Sequence, residues 1–159
     1  MRISLKKITL FIISLLIPQL AGFIGSLFTI KNIPTWYASL SKPFFNPPNW
    51  IFAPVWTALF ILMGVSLYLV LTKQKKISTP PVKIFFIQLA INTLWSIVFF
   101  GMREPGLAFI IIVVLWFLIY YIIKIFYKID KVASYLLLPY LAWVSFASVL
   151  NFSIWILNY

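Results

Sequence analysis

The residues in this sequence whose types and spacing could serve chemistry are indoles and side-chain amides. Tryptophan occurs seven times in 159 residues, and the segment WYASLSKPFFNPPNWIFAPVW, residues 36–56, is rich in indole, phenol and proline rings. Farther on, Gln88, Asn92 and Trp95 fall at helical spacing, which places two amides and an indole on one helix face. Because indoles stack on flat apolar rings and amides orient them, the pattern favours a site for such a ligand. Packing between helices would use the same tryptophans, and this alternative stays open for each.

The side chains that the sequence lacks exclude several reaction classes. With no histidine and no cysteine, zinc-dependent hydrolysis and Cys–His catalysis are excluded, no metal site is expected, and strong axial ligation of haem iron is not expected either. The two acids, Glu104 and Asp130, flank the fourth apolar stretch, so we expect them on opposite sides of a membrane, unable to pair. Because no acid interrupts an apolar stretch, a proton relay or ion-coupled pump is poorly supported.

The elements that must position these side chains are membrane-spanning helices. Only 9% of the residues are charged, against about 25% in soluble domains. Five charge-free stretches each reach the roughly 18–20 residues that cross a bilayer as a helix. Apolar runs without alternation argue against a β-barrel. The sequence therefore predicts an all-α integral membrane bundle, a single domain over residues 1–159, with five transmembrane helices at about 8–30, 49–71, 82–101, 106–127 and 132–157.

The distribution of the basic residues predicts how the bundle lies in the membrane. Thirteen bases stand against two acids, but they flank the apolar stretches as in membrane proteins, so nucleic-acid binding is not expected. With five spans, ten of the thirteen share the side of the N-terminus. The positive-inside rule then predicts a cytoplasmic N-terminus and an outer C-terminus. The bases on the outer side, available to a carboxylate ligand, are Lys31, Lys42 and Arg103.

The connection over residues 31–49 is too long and too aromatic to be a simple turn. Prolines stiffen it, and its aromatic rings are costly to leave in water, so we expect it to fold over something. It is either an anchor at the lipid headgroups or a lid over a cavity between helices. In the first span Gly22, Gly25 and Ser26 share one side, which permits close approach of another helix or of a ligand.

Three segments carry a resemblance to a known family. Residues 36–56 resemble the signature W-Y-x-x-L-x-K-P-x-W-x-P-P-x-W-x-F-x-P-V-W of the translocator protein/tryptophan-rich sensory protein family (TspO/MBR, the peripheral-type benzodiazepine receptors). QLAINTLWSIVFFG resembles the third helix of that family, and LPYLAWVSFASVLNFSIWILN resembles the fifth. The resemblance covers essentially the whole chain, in order and with matching spacing.

The resemblance implies a five-helix bundle, usually a homodimer, that binds protoporphyrin IX and other tetrapyrroles as ligands rather than as cofactors. It also implies binding of benzodiazepine- and isoquinoline-type compounds and, in animals, of cholesterol. The implied pocket lies among the first, second and fifth helices, with the first loop as its cover. The matching ligand-binding positions are Trp36, Tyr37, Pro47, Pro48, Trp50, Trp56, Asn92, Trp95, Trp143, Phe146, Ala147, Leu150 and Asn151.

The family also offers an enzymatic alternative. Some bacterial members degrade protoporphyrin in light, and the tryptophans implicated match Trp56 and Trp143. The sequence departs from the family at Phe45, where a tryptophan is usual. It also departs from the weak cholesterol motif, because Phe152 replaces a tyrosine and Ile156 an arginine, which lowers the expectation of cholesterol binding.

The sequence thus predicts a membrane receptor or carrier for tetrapyrroles. A light-dependent porphyrin-degrading enzyme and a tetrapyrrole or lipid transporter are the alternatives. The absence of histidine predicts free-base porphyrin as the ligand in preference to coordinated haem iron. The lysine-rich chain with its short tails favours a bacterial plasma membrane over a mitochondrial outer membrane.

Overall fold

The computed structural model describes residues 5–74, 76 and 78–159, and in this part of the chain all regular structure is helical. Five helical stretches are long and apolar enough to cross a membrane, namely Leu5–Tyr37, Asn49–Gln74, Pro80–Gly101, Pro105–Ile129 and Lys131–Asn158. The predicted all-α bundle with five spanning helices is therefore confirmed. Two of the bases counted on the N-terminal side, Arg2 and Lys75, lie outside the described residues.

The first helix is longer than predicted. Helix α1, Leu5–Asn32, continues directly into a π-helical turn, Ile33–Tyr37. The proline at position 34 has no N–H to donate to the regular hydrogen-bond ladder, and the helix widens there instead of stopping. Trp36 and Tyr37 therefore belong to the end of the first helix, and the predicted lid loop over 31–49 shortens to a connector over 38–48.

The next three helices begin and end close to the predicted positions. A 3₁₀ turn, Asn49–Ile51, leads into α2, Phe52–Gln74, which continues a little beyond the predicted end. Helix α3, Pro80–Ser96, also ends in a π turn, Ile97–Gly101. Helix α4 spans Pro105–Ile129. Both α3 and α4 begin at a proline, which suits the first helical turn because its N–H groups have no partner within the helix.

The fifth span is two helices rather than the single one predicted. Helix α5, Lys131–Tyr135, is followed by a turn at 136–137 and by α6, Leu138–Asn158. The Asp130 carboxylate caps α5 by accepting a hydrogen bond from the Ala133 N–H at 2.9 Å. The Ser66 hydroxyl of α2 donates to the Ala133 carbonyl at 2.7 Å. These bonds hold the short helix against the end of the bundle and set the direction from which α6 starts.

Helices α1 and α2 approach one another closely where Gly64 faces Ser14. A Cβ atom placed on Gly64 of α2 would lie 2.8 Å from the Ser14 carbonyl oxygen and from the Leu15 Cα atom, so only glycine permits this approach. Helix α4 buries one face against α3 and α6 and exposes the other, as expected for a helix at the lipid surface. The buried face consists of Ala108, Ile112, Leu115, Ile119, Ile122 and Phe126.

Contacts between connections divide the bundle into two ends. At one end the Lys73 ammonium, beside the second connection, pairs with the Asp130 carboxylate at 2.8 Å. At the other end the Arg103 guanidinium donates to the Asn32 side-chain oxygen at 3.1 Å. This grouping is the one expected of five alternating spans. Which end faces the cytoplasm stays a prediction.

The Lys73–Asp130 pair predicts a response to acid. Its hydrogen bond and that from Ala133 lower the pKa of Asp130 below the ordinary value. A carboxyl group with a lowered pKa in the folded state stabilises the fold above its unfolded pKa, about 4, and loses that contribution as the pH falls through the folded pKa. We expect Asp130→Asn, which keeps the helix cap, to lose a few degrees of melting temperature at pH 7 and to differ less from the original protein at pH 3.

Thermal unfolding in detergent micelles at the two pH values measures this difference. Equal melting temperatures at pH 7 would contradict the stabilising role of the charge.

Candidate functional site

A cavity of about 410 Å³ lies among α1, α2, α3 and α6. Eight of the thirteen predicted ligand-binding residues line it, and they come from four separate helical segments. Two indoles meet across it, with the rings of Trp56 and Trp95 6.4 Å apart at 32°. The eight residues are Tyr37, Trp56, Asn92, Trp95, Trp143, Ala147, Leu150 and Asn151.

The amides of α3 are satisfied by partners on α6. The Asn92 amide N–H donates to the Tyr140 hydroxyl at 2.8 Å, and that hydroxyl donates to the Gln88 side-chain oxygen at 2.9 Å. All three side chains are buried. In a membrane such groups need internal partners, and this chain of bonds fixes the Asn92 amide at the cavity wall.

A second bridge joins the same two helices. The Trp95 indole N–H donates to the Asn151 side-chain oxygen at 3.0 Å. The Asn151 amide N–H in turn donates to the Pro105 carbonyl at 2.8 Å, at the start of α4. Stacking of Trp95 on Phe99 at 5.4 Å further restricts the indole. The wall formed by α3 and α6 is therefore held rigidly before any ligand arrives.

Trp143 differs from Trp95 in one respect. Its indole N–H is buried, and no residue in the described part of the chain accepts a hydrogen bond from it. Its ring packs edge-on against Phe52 at 6.1 Å, and Phe52 also lines the cavity. A buried donor without an acceptor costs about 1–3 kcal/mol, so a ligand that displaces the atoms covering this N–H and brings it an acceptor gains free energy on binding.

Small residues of α1 form part of the remaining wall. Gly22 and Gly25 both line the cavity, and so does Ser26. A Cβ atom on Gly22 would collide with the Phe60 ring of α2, and one on Gly25 would lie 3.2 Å from the Ser96 hydroxyl of α3. These glycines therefore permit close helix packing and also leave space for a ligand. Both explanations given by the sequence hold at once.

The connector is fastened down beside the cavity. The Tyr37 hydroxyl donates to the Asn46 side-chain oxygen at 2.6 Å. The Asn158 side chain of α6 makes a reciprocal pair of 2.9 Å bonds with Ser41, accepting from its N–H and donating to its carbonyl. The connector is thus tied to both α1 and the end of α6.

Five predicted ligand-binding residues do not line the cavity. Trp36 instead packs edge-on against Phe99 at 5.6 Å. Trp50 is 73% exposed, where an indole can meet lipid headgroups. Of the predicted lid over 31–49, Ile33, Tyr37 and Asn49 line the cavity, and the residues between Tyr37 and Asn49 form the outer surface or pack beside the cavity. The remaining three residues are Pro47, Pro48 and Phe146.

The three bases predicted for this end do lie near it, but none lines the cavity. The Lys42 ammonium donates to the carbonyls of Ala38 and Leu40, at 3.2 and 2.9 Å. It also lies 5.1 Å from the centre of the Tyr37 ring. Arg103 bonds to Asn32, and Lys31 is exposed. A carboxylate at the cavity mouth would have to draw one of them from these positions.

Sequence reasoning missed most of the aromatic lining. Apart from spacing, nothing distinguishes these rings from ordinary core residues, and Phe60 and Phe99 are in fact buried in the core. Phe52, Phe60 and Phe99 each lie one helical turn from a predicted residue, Trp56 or Trp95, and Phe23 and Phe100 had no such signal. The missed aromatic residues are Phe23, Phe52, Phe60, Phe99 and Phe100.

Comparison with known sequences shows the family to which the chain belongs. A profile of the TspO/MBR family matches residues 14–156. The chain belongs to the TspO/MBR family. It is 46% identical over 137 residues to the tryptophan-rich protein TspO of Archaeoglobus fulgidus, covering 86% of this chain and 89% of that one.

Relatives within the TspO/MBR family come from distant organisms. The tryptophan-rich protein TspO of Chlorobaculum tepidum is 49% identical over 140 residues, or 86% of this chain and 88% of that one. The translocator protein of Bos taurus is 36% identical over 143 residues, or 88% and 85%. Family membership and five apolar helices together make this an integral membrane protein.

The attachment of the connector in this TspO/MBR protein can be tested with Asn158→Ala. Removing the side chain deletes both bonds to Ser41, each worth about 0.5–1.5 kcal/mol. We expect amide hydrogen exchange over residues 38–48 to become roughly tenfold faster. Ser153→Ala is the control, because that hydroxyl bonds only within its own helix, to the Val149 carbonyl at 2.9 Å. Unchanged exchange in Asn158→Ala would show that the connector is held by other contacts.

Proposed function

We propose that this protein is a membrane receptor or carrier that binds protoporphyrin IX, or a related free-base tetrapyrrole, in the cavity among α1, α2, α3 and α6. The observation that carries the proposal is the convergence of three indoles, from Trp56, Trp95 and Trp143, on one cavity. Indole faces stack on a flat aromatic macrocycle, and the fixed Asn92 amide at the wall can orient it.

The size and the walls of the cavity suit such a ligand. Its volume of about 410 Å³ falls within the roughly 300–1,000 Å³ of small-molecule sites. Phe23 of α1 and Ala53 and Thr57 of α2 line the cavity and are also exposed on the outer surface. The cavity therefore reaches the outside between α1 and α2, so a macrocycle larger than the enclosed space can extend through that gap.

Polar groups of the protein can bind the ring nitrogens and the propionate groups of the ligand. The unpartnered Trp143 N–H can donate to a ring nitrogen or a carboxylate oxygen. Propionate groups would meet Lys31, Lys42 or Arg103 at the connector end. The proposal places the N-terminus in the cytoplasm and the protein, as a homodimer, in a bacterial plasma membrane, in keeping with the positive-inside rule.

Binding can be measured by quenching of tryptophan fluorescence on titration with protoporphyrin IX. We expect Trp143→Phe to weaken binding about three- to tenfold, because the ring remains and one hydrogen bond is lost. The same change removes a buried donor that lacks a partner, so the ligand-free protein should melt at the same or a higher temperature. Trp155→Phe is the control, since its ring packs on Phe109 outside the cavity. Unchanged affinity in Trp143→Phe would place the ligand elsewhere.

A variant that fills the cavity tests its location independently. Ala147 is buried at the cavity wall, so Ala147→Leu projects a larger side chain into the space. We expect at least a tenfold loss of porphyrin affinity, by steric exclusion. Ala142→Leu adds the same atoms at an exposed position of α6 and should leave affinity unchanged. Equal affinities for the two variants would contradict binding in this cavity.

Photochemical degradation of the ligand is a second candidate function. It is favoured by one observation, that Trp56 and Trp143, the two tryptophans in question, line the same cavity. Such a reaction would use the excited porphyrin itself and needs no acid–base pair. Illumination of the complex should then yield a new absorbing product that disappears in Trp56→Phe and Trp143→Phe. Bleaching at the rate of free porphyrin, in all proteins alike, would leave binding as the function.

A further inference from the structure

A second hollow lies on the other side of α6, facing outward. It is a groove of about 460 Å³ between α4 and α6. Trp116 and Phe117 line it on the α4 side, and Ser148 and Phe152 line it on the α6 side. Phe117 is 61% exposed, so the groove opens at the surface where a membrane protein meets acyl chains. Its walls are almost wholly apolar, which suits a hydrocarbon chain and no polar ligand.

The groove continues along α4 into a basic cluster. The Trp116 indole is fixed by its N–H, which donates to the Ser145 hydroxyl at 2.7 Å. Its ring stacks on Tyr120 at 5.6 Å and 9°. The Lys124 ammonium in turn lies 4.5 Å from the centre of the Tyr120 ring. A continuous path of contacts therefore leads from the apolar groove to a cation.

More bases follow at the same end. Lys128 lies one turn beyond Lys124 on α4, Lys131 begins α5, and all three are exposed. The Lys131 ammonium lies 5.5 Å from the centre of the Tyr127 ring. The acid at this end, Asp130, is engaged by Lys73 at 2.8 Å. Tyrosine rings beside exposed lysines are typical of the level of the lipid headgroups.

We propose that an anionic phospholipid binds along this face, with an acyl chain in the groove and its phosphate between Lys124 and Lys128. The dimensions agree. One leaflet of the hydrocarbon core is about 15 Å thick, and a helix rises about 1.5 Å per residue. A chain whose headgroup meets Lys124 therefore reaches about ten residues back along α4, past Trp116 and Phe117 to Val113, about midway along the groove.

Charge decides between this occupant and a second copy of the protein. Two copies related by a twofold axis along the membrane normal would bring their lysine rows to the same level and next to one another. Like charges brought together in this way are destabilising. An anionic headgroup instead neutralises the row, and each lysine near the membrane surface strengthens such attraction several-fold.

Native mass spectrometry of the full-length protein in detergent tests the proposal. The protein is offered phosphatidylglycerol or phosphatidylcholine with the same acyl chains. We expect one phosphatidylglycerol to be retained with roughly tenfold higher occupancy than phosphatidylcholine. Equal retention of the two lipids would overturn the proposal. So would a dimer that excludes lipid, because the groove would then be covered by a second copy.

Two double variants that lose the same charge show where the lipid headgroup binds. Lys124→Gln with Lys128→Gln should remove the preference for phosphatidylglycerol. Lys6→Gln with Lys7→Gln, at the start of α1 and away from this face, should keep it. Equal losses in both doubles would mean that the overall charge of this end attracts the lipid, and the specific site would be wrong.

The groove itself is tested with Ser148→Phe and with a labelled lipid. The phenylalanine fills the groove and should lower retention of both lipids. Because the substitution could also disturb the packing of α4 on α6, phosphatidylglycerol with a diazirine in its acyl chain is crosslinked to the unaltered protein. Adducts should concentrate in peptides covering 113–117 and 145–152. Adducts spread evenly over the spans would refute an acyl-chain site there.

Discussion

The hydrogen bonds that join α3 to α6 are the interaction on which the cavity depends. Inside a bilayer, a buried amide or hydroxyl has no water with which to form a hydrogen bond, so its hydrogen-bond partner must be another protein group. Asn92, Tyr140 and Gln88 satisfy one another in a chain, and Trp95 and Asn151 form a second bridge. The backbones of α3 and α6 pack mainly on other helices, so these long side chains span a space. That space, closed off by α1 and α2, is the cavity.

The contacts between α1 and α2 change in kind along the helix pair. At the N-terminal end of α1, Gly64 permits contact with the backbone at Ser14. Farther along, the large rings of Phe60 and Trp56 occupy the interface, and the glycine at 22 leaves just enough room for the Phe60 ring. Small residues thus meet at one level of the helix pair, and at the next level, nearer the connector, aromatic rings line the cavity.

Hydropathy was sufficient to predict five spans, because burying charge in lipid is costly and the charged residues lie at the ends of the helices. The ends themselves were less certain: Pro34 was compatible with a stop, and the chain continued through a π turn instead. Which residues face the cavity was harder, since lipid-facing and inward-facing positions are both apolar and no periodicity separates them. Amides are the exception. Asn92 and Asn151 could be placed because a polar group must point inward, whereas Phe52 carried no comparable signal.

Helix α6 is a wall shared by two hollows of different kinds. Ala147 and Leu150 face the cavity, while Ser148 and Val149 face the groove. Beside the two hollows α6 makes fewer packing contacts with other helices, so hydrogen bonds contribute more to its position there. The bridges from α3 and the bond between Trp116 and Ser145 are what hold it in place. A molecule bound in either hollow adds contacts to α6. Binding in the groove can therefore shift α6 and change the shape of the cavity on its other side.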